Sequence, residues 1–225
     1  MKKLYSALLM CLGLSLPLFS QTADEIVNRI QQKYENLNNF SAQFTQIMVS
    51  KAFSRQEIEK GIVYLKRPGK MRWEYKEPEK KLMVSDGKTI YWYLIEDKQV
   101  QIMNLEEWKS EQTPILYLSG RGKLKEDFDI EKLELMKPLD EGNIQLKLVP
   151  LHQESDFQSI MLEINPTRNI VRRMMIVDLL ENITDYIFED IKENQVLSDE
   201  LFTFAIPPGV EVYTTEGQKI KEKAK

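Results

Sequence analysis

Short apolar segments with a period of two, separated by turn signals at hairpin intervals, constrain the fold of this chain more than any other feature. Turn-forming pairs such as Pro68-Gly69 and Asp86-Gly87 recur between segments in which apolar and polar residues alternate. Such alternation is typical of half-buried strands, and turns at this spacing favour hairpins. The strands predicted after residue 80 are 81–84, 89–94, 99–103, 144–149, 160–164, 171–177 and 183–188. The pattern therefore predicts a long antiparallel sheet, with the polar residues 54–60 separating two earlier strands.

Two segments depart from this pattern and have helical spacing. Thr22 and Glu25 have the spacing of a capping box and precede an apolar stripe in residues 26–37, which predicts an amphipathic helix. Thr113-Pro114 precedes a short apolar run at 115–118, since threonine can cap a helix and proline suits its first position. A helix this short is unstable alone, so we expect it to bury itself against the sheet.

Four cations lie within residues 61–75, a segment that otherwise has the pattern of strands. Val63 and Leu65 alternate with polar neighbours, and a period of two places Arg67 on their face, directed inward. An inward arginine needs a partner, because an unpaired buried charge costs several kcal/mol. Spacing alone favours an ion pair with a carboxylate such as that of Glu74.

Aromatic residues gather in the same half of the predicted sheet. Trp73 and Tyr75 lie on one predicted strand, and residues 91–93 on another. Such a group is more often core than ligand pocket. Alternation places Tyr91 and Tyr93 opposite Trp92, so only one of these two sets can line a cavity.

Residues 1–20 have the pattern of a secretory signal peptide. Two lysines follow Met1, and the apolar run behind them is interrupted by Pro17, which predicts cleavage near Ser20 and an exported chain. No Gly/Ser-rich linker, low-complexity tract or repeat divides residues 21–225, which predicts one domain. Cys11 is the chain's single cysteine, so removing the signal removes disulfides and cysteine-ligated metals.

The composition argues against several classes of function. The formal net charge of -4 disfavours nucleic acid as a partner of an exported chain. The single His152 excludes a multi-histidine zinc site. Neither Ser85-Asp86-Gly87 nor the many acidic residues form an active-site pattern. We therefore expect no cofactor, no metal and no catalytic residues, with a periplasmic hydrolase as the enzymatic alternative.

Short motifs occur in a specific order along nearly the whole chain after the signal. In order they are Gly61, Lys66-Arg67-Pro68-Gly69, Trp73, residues 84–89, the aromatic residues 91–93, Thr113-Pro114, Phe202-Thr203-Phe204 and Pro208-Gly209-Val210. Together they resemble the family of periplasmic outer-membrane lipoprotein carriers, LolA.

The resemblance implies a mainly β fold with some α: an incomplete, unclosed antiparallel β-barrel whose short helices form a lid over an apolar cavity. It also implies that Arg67 holds the lid closed by hydrogen bonds to backbone carbonyls of the lid helix. The matching lid residues are Ile115, Leu116, Leu118 and Ser119, and the expected acyl-chain cavity includes Val63, Leu65, Met71 and Trp73. Met71 stands where an aromatic residue is common in the family, so we expect a softer wall.

The function implied by the resemblance is that of a monomeric periplasmic carrier rather than an enzyme. Such a carrier binds the acyl chains of lipoproteins that an ATP-driven inner-membrane complex releases, and delivers them to an outer-membrane receptor. The alternative is a related lipid- or lipoprotein-binding module, such as an outer-membrane lipoprotein receptor or a sensor. A receptor would be anchored through a lipidated cysteine, so the fate of Cys11 separates the two.

Overall fold

Strands make up most of the computed structural model, which describes residues 22–106, 117–118, 122–133, 137–152, 156–215 and 217–220. In chain order the elements are α1 (Ala23–Asn36), β1 (Asn39–Ser50), β2 (Arg55–Lys66), β3 (Lys70–Glu77), β4 (Lys81–Asp86), β5 (Thr89–Leu94), β6 (Gln99–Asn104), α2 (Leu124–Asp127), β7 (Phe128–Leu133), β8 (Ile144–Pro150), β9 (Phe157–Asn165), β10 (Ile170–Asp178), β11 (Ile183–Glu193), a 3-10 helix (Asp199–Phe202) and β12 (Glu211–Thr214). The strands form one sheet in the order β12-β6-β5-β4-β3-β2-β1-β11-β10-β9-β8-β7. Because β12 and β7 are its two edges, the sheet is not closed.

The predicted mainly β, unclosed architecture is confirmed, with three corrections. The sheet is mixed, because β12 pairs with β6 in parallel; no hairpin turn joins these two strands, so none forces them antiparallel. Most of the polar stretch 54–60 is strand rather than a connection, since β2 begins at Arg55 and pairs with β1 along its whole length. The edge strands β7 and β12 were not predicted.

Helix α1 begins at the predicted capping box. The Thr22 backbone N–H donates to the Glu25 carboxylate at 3.0 Å, and the Glu25 N–H donates to the Thr22 hydroxyl at 3.3 Å. The buried face of the helix includes Ile30 and Tyr34, and the Tyr34 hydroxyl accepts a hydrogen bond from the backbone N–H of Val171 at 3.0 Å. This bond joins α1 to β10. Within the described ranges, no helix has the length and apolar character needed to span a membrane.

The face of the sheet that carries the main apolar core is concave. Trp73 on β3 and Tyr186 on β11 lie three strand spacings apart, which in a flat sheet is roughly 14 Å. Their ring centroids are nevertheless 5.6 Å apart. Side chains on this face converge as on the inside of a curved sheet, and we call it the concave face.

Gly61 makes room for an aromatic cluster on the concave face. It lies on β2 between its cross-strand partners Phe44 and Tyr75. A Cβ atom at this position would stand 2.0 Å from the carbonyl oxygen of Glu74 and 2.7 Å from the Phe44 ring. Because no side chain intervenes, the Phe44 ring meets Trp73 at 4.9 Å and Tyr75 at 5.0 Å, both edge to face. Such pairs stabilise a core beyond the area they bury.

The opposite, convex face of β4 and β5 is covered by residues 195–207, which we call the C-terminal strap. The Phe204 ring lies 5.4 Å from Tyr91 and 5.7 Å from Tyr93. Trp92 packs instead against the main core on the concave face. The alternative that alternation left open is therefore resolved: Trp92 belongs to the concave face, and the two tyrosines to the surface under the strap.

Candidate functional site

The four residues predicted for the cavity wall lie side by side on the concave face. Val63 and Leu65 on β2 pair with Trp73 and Met71 on β3. All four are at most 2% exposed. They form a continuous apolar surface across two central strands, and their contact with acyl chains stays a prediction.

A small apolar cavity lies over the other half of the concave face, between α1 and strands β8 to β10. Its lining includes Ile30, Tyr34, Leu118, Ile160, Leu162 and Met174. The volume of about 10 Å³ is at the lower limit for one water molecule. This cavity is too small for an acyl chain, so a chain can occupy it only if the elements that line it move.

Sequence reasoning found the elements around this cavity without assigning them to the site. The apolar stripe of α1 was predicted as a helix face, and β8 to β10 were predicted as strands. A usable signal was the width of that stripe, since a helix that buries Ile26, Ile30 and Tyr34 must cover an apolar surface of similar extent. The open sheet supplies that surface.

Leu118 is the predicted lid residue that the structure describes. It is 4% exposed and lines the cavity beside α1. The neighbouring Tyr117 hydroxyl donates to a carboxylate oxygen of Asp127 at 3.0 Å. Burial, together with the Asp127 carboxylate, raises the pKa of Tyr117, so the hydroxyl keeps its proton and donates. The other predicted lid residues, Ile115, Leu116 and Ser119, lie outside the described residues.

The expectation that Arg67 points inward is wrong. Strand β2 ends at Lys66, and Arg67 begins the turn to β3 with its side chain exposed, because a period of two does not continue into a turn. Its backbone N–H donates to the Asn38 carbonyl at 3.0 Å. The alternative ion pair with Glu74 is also wrong, since Arg72 Nε donates to that carboxylate at 2.6 Å. Among the described residues, nothing accepts a hydrogen bond from the Arg67 guanidinium.

The other three cations of the cluster hold the C-terminal strap. The Asp199 carboxylate lies 2.8 Å from the Lys66 ammonium and 2.9 Å from that of Lys70. Hydrogen bonds from these lysines lower the pKa of Asp199 to about 2. Arg72 Nη1 donates to the Leu201 carbonyl at 3.2 Å. The cations on β2 and β3 therefore bind the convex-face strap, which the sequence pattern did not indicate.

Toward the β1–β2 hairpin, the apolar part of the concave face ends in paired polar side chains. The Tyr75 hydroxyl donates to the Gln46 side-chain oxygen at 3.0 Å, and the Lys81 ammonium forms an ion pair with Glu59. Burial raises the pKa of Tyr75 well above its usual value, so the hydroxyl stays a donor. Sequence reasoning missed this boundary, although alternation places Gln46 on the face of Phe44.

The chain is similar in sequence to a known protein family. Residues 35–205 match the family model described as outer membrane lipoprotein carrier protein LolA. An outer-membrane lipoprotein carrier protein from Nitrosomonas europaea is 32% identical over 174 residues, which cover 77% of this chain and 81% of the relative. A relative of the same name from Methylococcus capsulatus is 28% identical over 205 residues, which cover 91% and 93% of the two chains.

A solved structure agrees with the fold. The crystal structure of an uncharacterized conserved protein from Thermus thermophilus aligns with a TM-score of 0.55 at 18% identity, covering 86% of this chain and 99% of that chain. The family match begins in α1 and ends in the C-terminal strap, so it spans strands β1 to β11 with their concave face. Together with the order of the sequence motifs, these matches show that the chain belongs to the LolA family of outer membrane lipoprotein carrier proteins.

Proposed function

We propose that this chain carries lipoproteins across the periplasm to the outer membrane by binding their acyl chains on the concave face. The observation that carries the proposal is the continuous apolar concave face of an unclosed sheet, in a chain that belongs to this family. Its relatives at about 30% identity are named outer-membrane lipoprotein carrier proteins. The site is one of binding rather than catalysis, and a hydrolase would instead turn over generic esters or glycosides.

Closure of the cavity fits a carrier that alternates between empty and loaded forms. An apolar face large enough for acyl chains contributes roughly 25 cal/mol per Å² when it is buried. An empty carrier that left this face exposed would aggregate or bind other apolar surfaces. In the structure, α1 and Leu118 cover one half of the concave face. Cargo binding then exchanges contacts with these elements for contacts with acyl chains.

Native mass spectrometry of the chain purified from periplasm tests the proposed cargo directly. A complex whose added mass equals a triacylated lipoprotein supports the carrier, whereas a bare phospholipid favours a lipid transporter. The site is tested by a photoreactive phenylalanine at Met71, on the concave face, and at Tyr64 as the matched control on the opposite face of β2. We expect acyl chains to crosslink at position 71 and not at 64. Equal crosslinking would remove the concave face as the binding site.

The energy for directed transfer enters outside this chain. An ATP-driven inner-membrane complex loads the carrier, and an outer-membrane receptor with higher affinity accepts the cargo. Each tenfold difference in affinity between carrier and receptor corresponds to about 1.4 kcal/mol. ATP hydrolysis by the purified chain would contradict this division of roles.

Arg67 is the proposed latch of the closed form. It lies in the β2–β3 turn, and among the described residues its guanidinium donors are unengaged, so they are available to carbonyls of the lid segment 115–119. Arg67→Leu should bind lipoprotein more tightly than wild type and transfer it to the receptor more slowly. Arg67→Lys should have an intermediate effect, because an ammonium satisfies fewer carbonyls than a guanidinium. The matched control is Arg55→Leu, an exposed arginine at the other end of β2. Normal transfer by Arg67→Leu would rule out the latch.

Residues 1–20 are the proposed signal peptide and residues 21–225 the carrier domain. The related receptor is the second candidate, because it would share the fold but stay anchored through lipidated Cys11. The mass of the mature N-terminus decides between them. Cleavage near Ser20 supports the free carrier, and a lipidated Cys11 supports the receptor.

A further inference from the structure

The indole N–H of Trp73 is a buried donor in the middle of the apolar concave face. The residue is 2% exposed, and its Nε1 atom has no hydrogen-bond partner among the described residues. Buried polar groups in folded proteins nearly always have a hydrogen-bond partner, so the unpaired Trp73 N–H is unusual. A donor that stays buried without an acceptor destabilises the state that contains it.

Among the described residues, no acceptor lies within hydrogen-bonding distance of the Trp73 N–H. Val63 and Met83 flank it on the neighbouring strands, and the rings of Phe44 and Tyr186 pack on it at 4.9 Å and 5.6 Å. At the polar boundary of the same face, the Tyr75 hydroxyl donates to Gln46. The Trp73 N–H therefore differs from the Tyr75 hydroxyl, because it is buried on the same face without a partner among the described residues.

We propose that Trp73 donates a hydrogen bond to a carbonyl oxygen of a bound acyl group, so that the concave face recognises the ester or amide link as well as the hydrocarbon. The inference rests on the proposed function and adds a specificity to it. Hydrocarbon offers no acceptor, whereas each acyl group brings one strong acceptor next to its chain. The bond forms in the loaded state alone, so it shifts the equilibrium toward cargo.

The consequence is a preference for acyl over alkyl chains of equal length. Losing a hydrogen bond to a buried donor reduces binding by about tenfold, because the donor is then left unpaired. An ether oxygen in place of the ester removes the carbonyl and leaves the chain area almost unchanged. Packing by itself predicts equal affinities for the two lipids.

The test compares a dipalmitoyl cysteine lipopeptide, with ester-linked chains, and its dihexadecyl ether counterpart. We expect wild type to bind the ester about tenfold more tightly, and Trp73→Phe, which keeps an aromatic ring without the N–H, to lose this preference. Trp92 lies on β5 and also belongs to the concave face, so Trp92→Phe is the matched control and should keep the preference for the ester. Equal affinity of wild type for ester and ether would overturn the inference alone, while binding of neither would overturn the proposed carrier function.

An NMR measurement on wild-type protein keeps the inference testable if Trp73→Phe fails to fold. The chain has three tryptophans, so the indole region holds three cross-peaks, and replacing each of the other two with phenylalanine assigns the Trp73 peak by elimination. Hydrogen bonding moves an indole proton downfield. We expect the Trp73 peak to move downfield with the ester lipopeptide and much less with the ether. An identical shift with both lipids would refute the bond to a carbonyl.

Discussion

Replacing Gly61 with alanine tests the packing that shapes the concave face. The added methyl group would stand 2.0 Å from the Glu74 carbonyl oxygen and 2.7 Å from the Phe44 ring. Contacts of a Cβ atom essentially never fall below 3.0 Å. The Glu74 oxygen belongs to the backbone of β3, so it cannot rotate away as a flexible side chain would. Either β3 moves by about an ångström relative to β2, or the aromatic cluster reorganises.

Two opposing effects set the expected magnitude. Overpacking of a dense core costs about 1–3 kcal/mol, and a clash with backbone belongs at the upper end of that range. Alanine also restricts the unfolded chain, which stabilises the folded state by about 0.4–1 kcal/mol. The free energy of unfolding of Gly61→Ala should therefore fall by about 2 kcal/mol. The edge-to-face contact between Phe44 and Trp73 should loosen as well, since the Phe44 ring must move away from the new methyl group.

Urea denaturation followed by tryptophan fluorescence measures both effects. The control is Gly142→Ala, where φ is +86° and a Cβ would meet no atom within 4 Å, so only the backbone conformation is penalised. We expect that control to lose about 1 kcal/mol and to keep the native fluorescence spectrum. If the free energy of unfolding of Gly61→Ala were within about 0.5 kcal/mol of the wild-type value, β3 and the Phe44 ring could not lie as close to Gly61 as described.

Three further predictions test contacts elsewhere in the fold. Tyr34→Phe leaves the buried backbone N–H of β10 without an acceptor and should lower the free energy of unfolding by about 1–2 kcal/mol; an unchanged urea midpoint would contradict this bond. The C-terminal strap should become protease-sensitive as the pH falls from 4 toward 2, because the pKa of Asp199 is lowered from 3.8 to about 2 in the folded state, and the ion pairs are lost when its carboxylate takes up a proton. Asp199→Asn should show the same cleavage at pH 7, and Glu200→Gln should not. Arg173→Met strands the buried carboxylate of Asp185 and should cost about 3 kcal/mol, part of which Asp185→Asn in the same chain restores; no recovery in the double variant would show that the ion pair is not the cause.

The element types were predictable because they follow from local geometry. A period of two in the apolar residues predicted the strands β4 to β6 and β8 to β11, and the capping box at Thr22 predicted the start of α1. The edge strands were not predicted from the apolar period, since β7 is rich in charges and β12 is short. Side chains on an edge bury less, so they carry a weaker apolar signal.

The candidate site was predictable as a set of residues that share a face. Alternation correctly placed Val63 and Leu65 on one face, because successive side chains of a strand point to opposite sides, whereas Met71 and Trp73 were assigned to that face with the family resemblance. It failed at Arg67, where the strand ends and the backbone turns. Local periodicity has no meaning beyond the last residue of the strand, so the direction of that side chain could not be read from it.

The sequence by itself determined most of the central strands and which of their residues share a face, because backbone sterics and alternation act over a few neighbouring positions. The tertiary structure decided which face is covered by what. Tyr91 meets Phe204, and Lys66 meets Asp199, across more than a hundred residues of chain. The parallel pairing of β12 and the small cavity under α1 depend on contacts of the same kind. No local pattern encodes the partner of such a contact, since it depends on how the whole sheet curves and returns the distant segment to its surface.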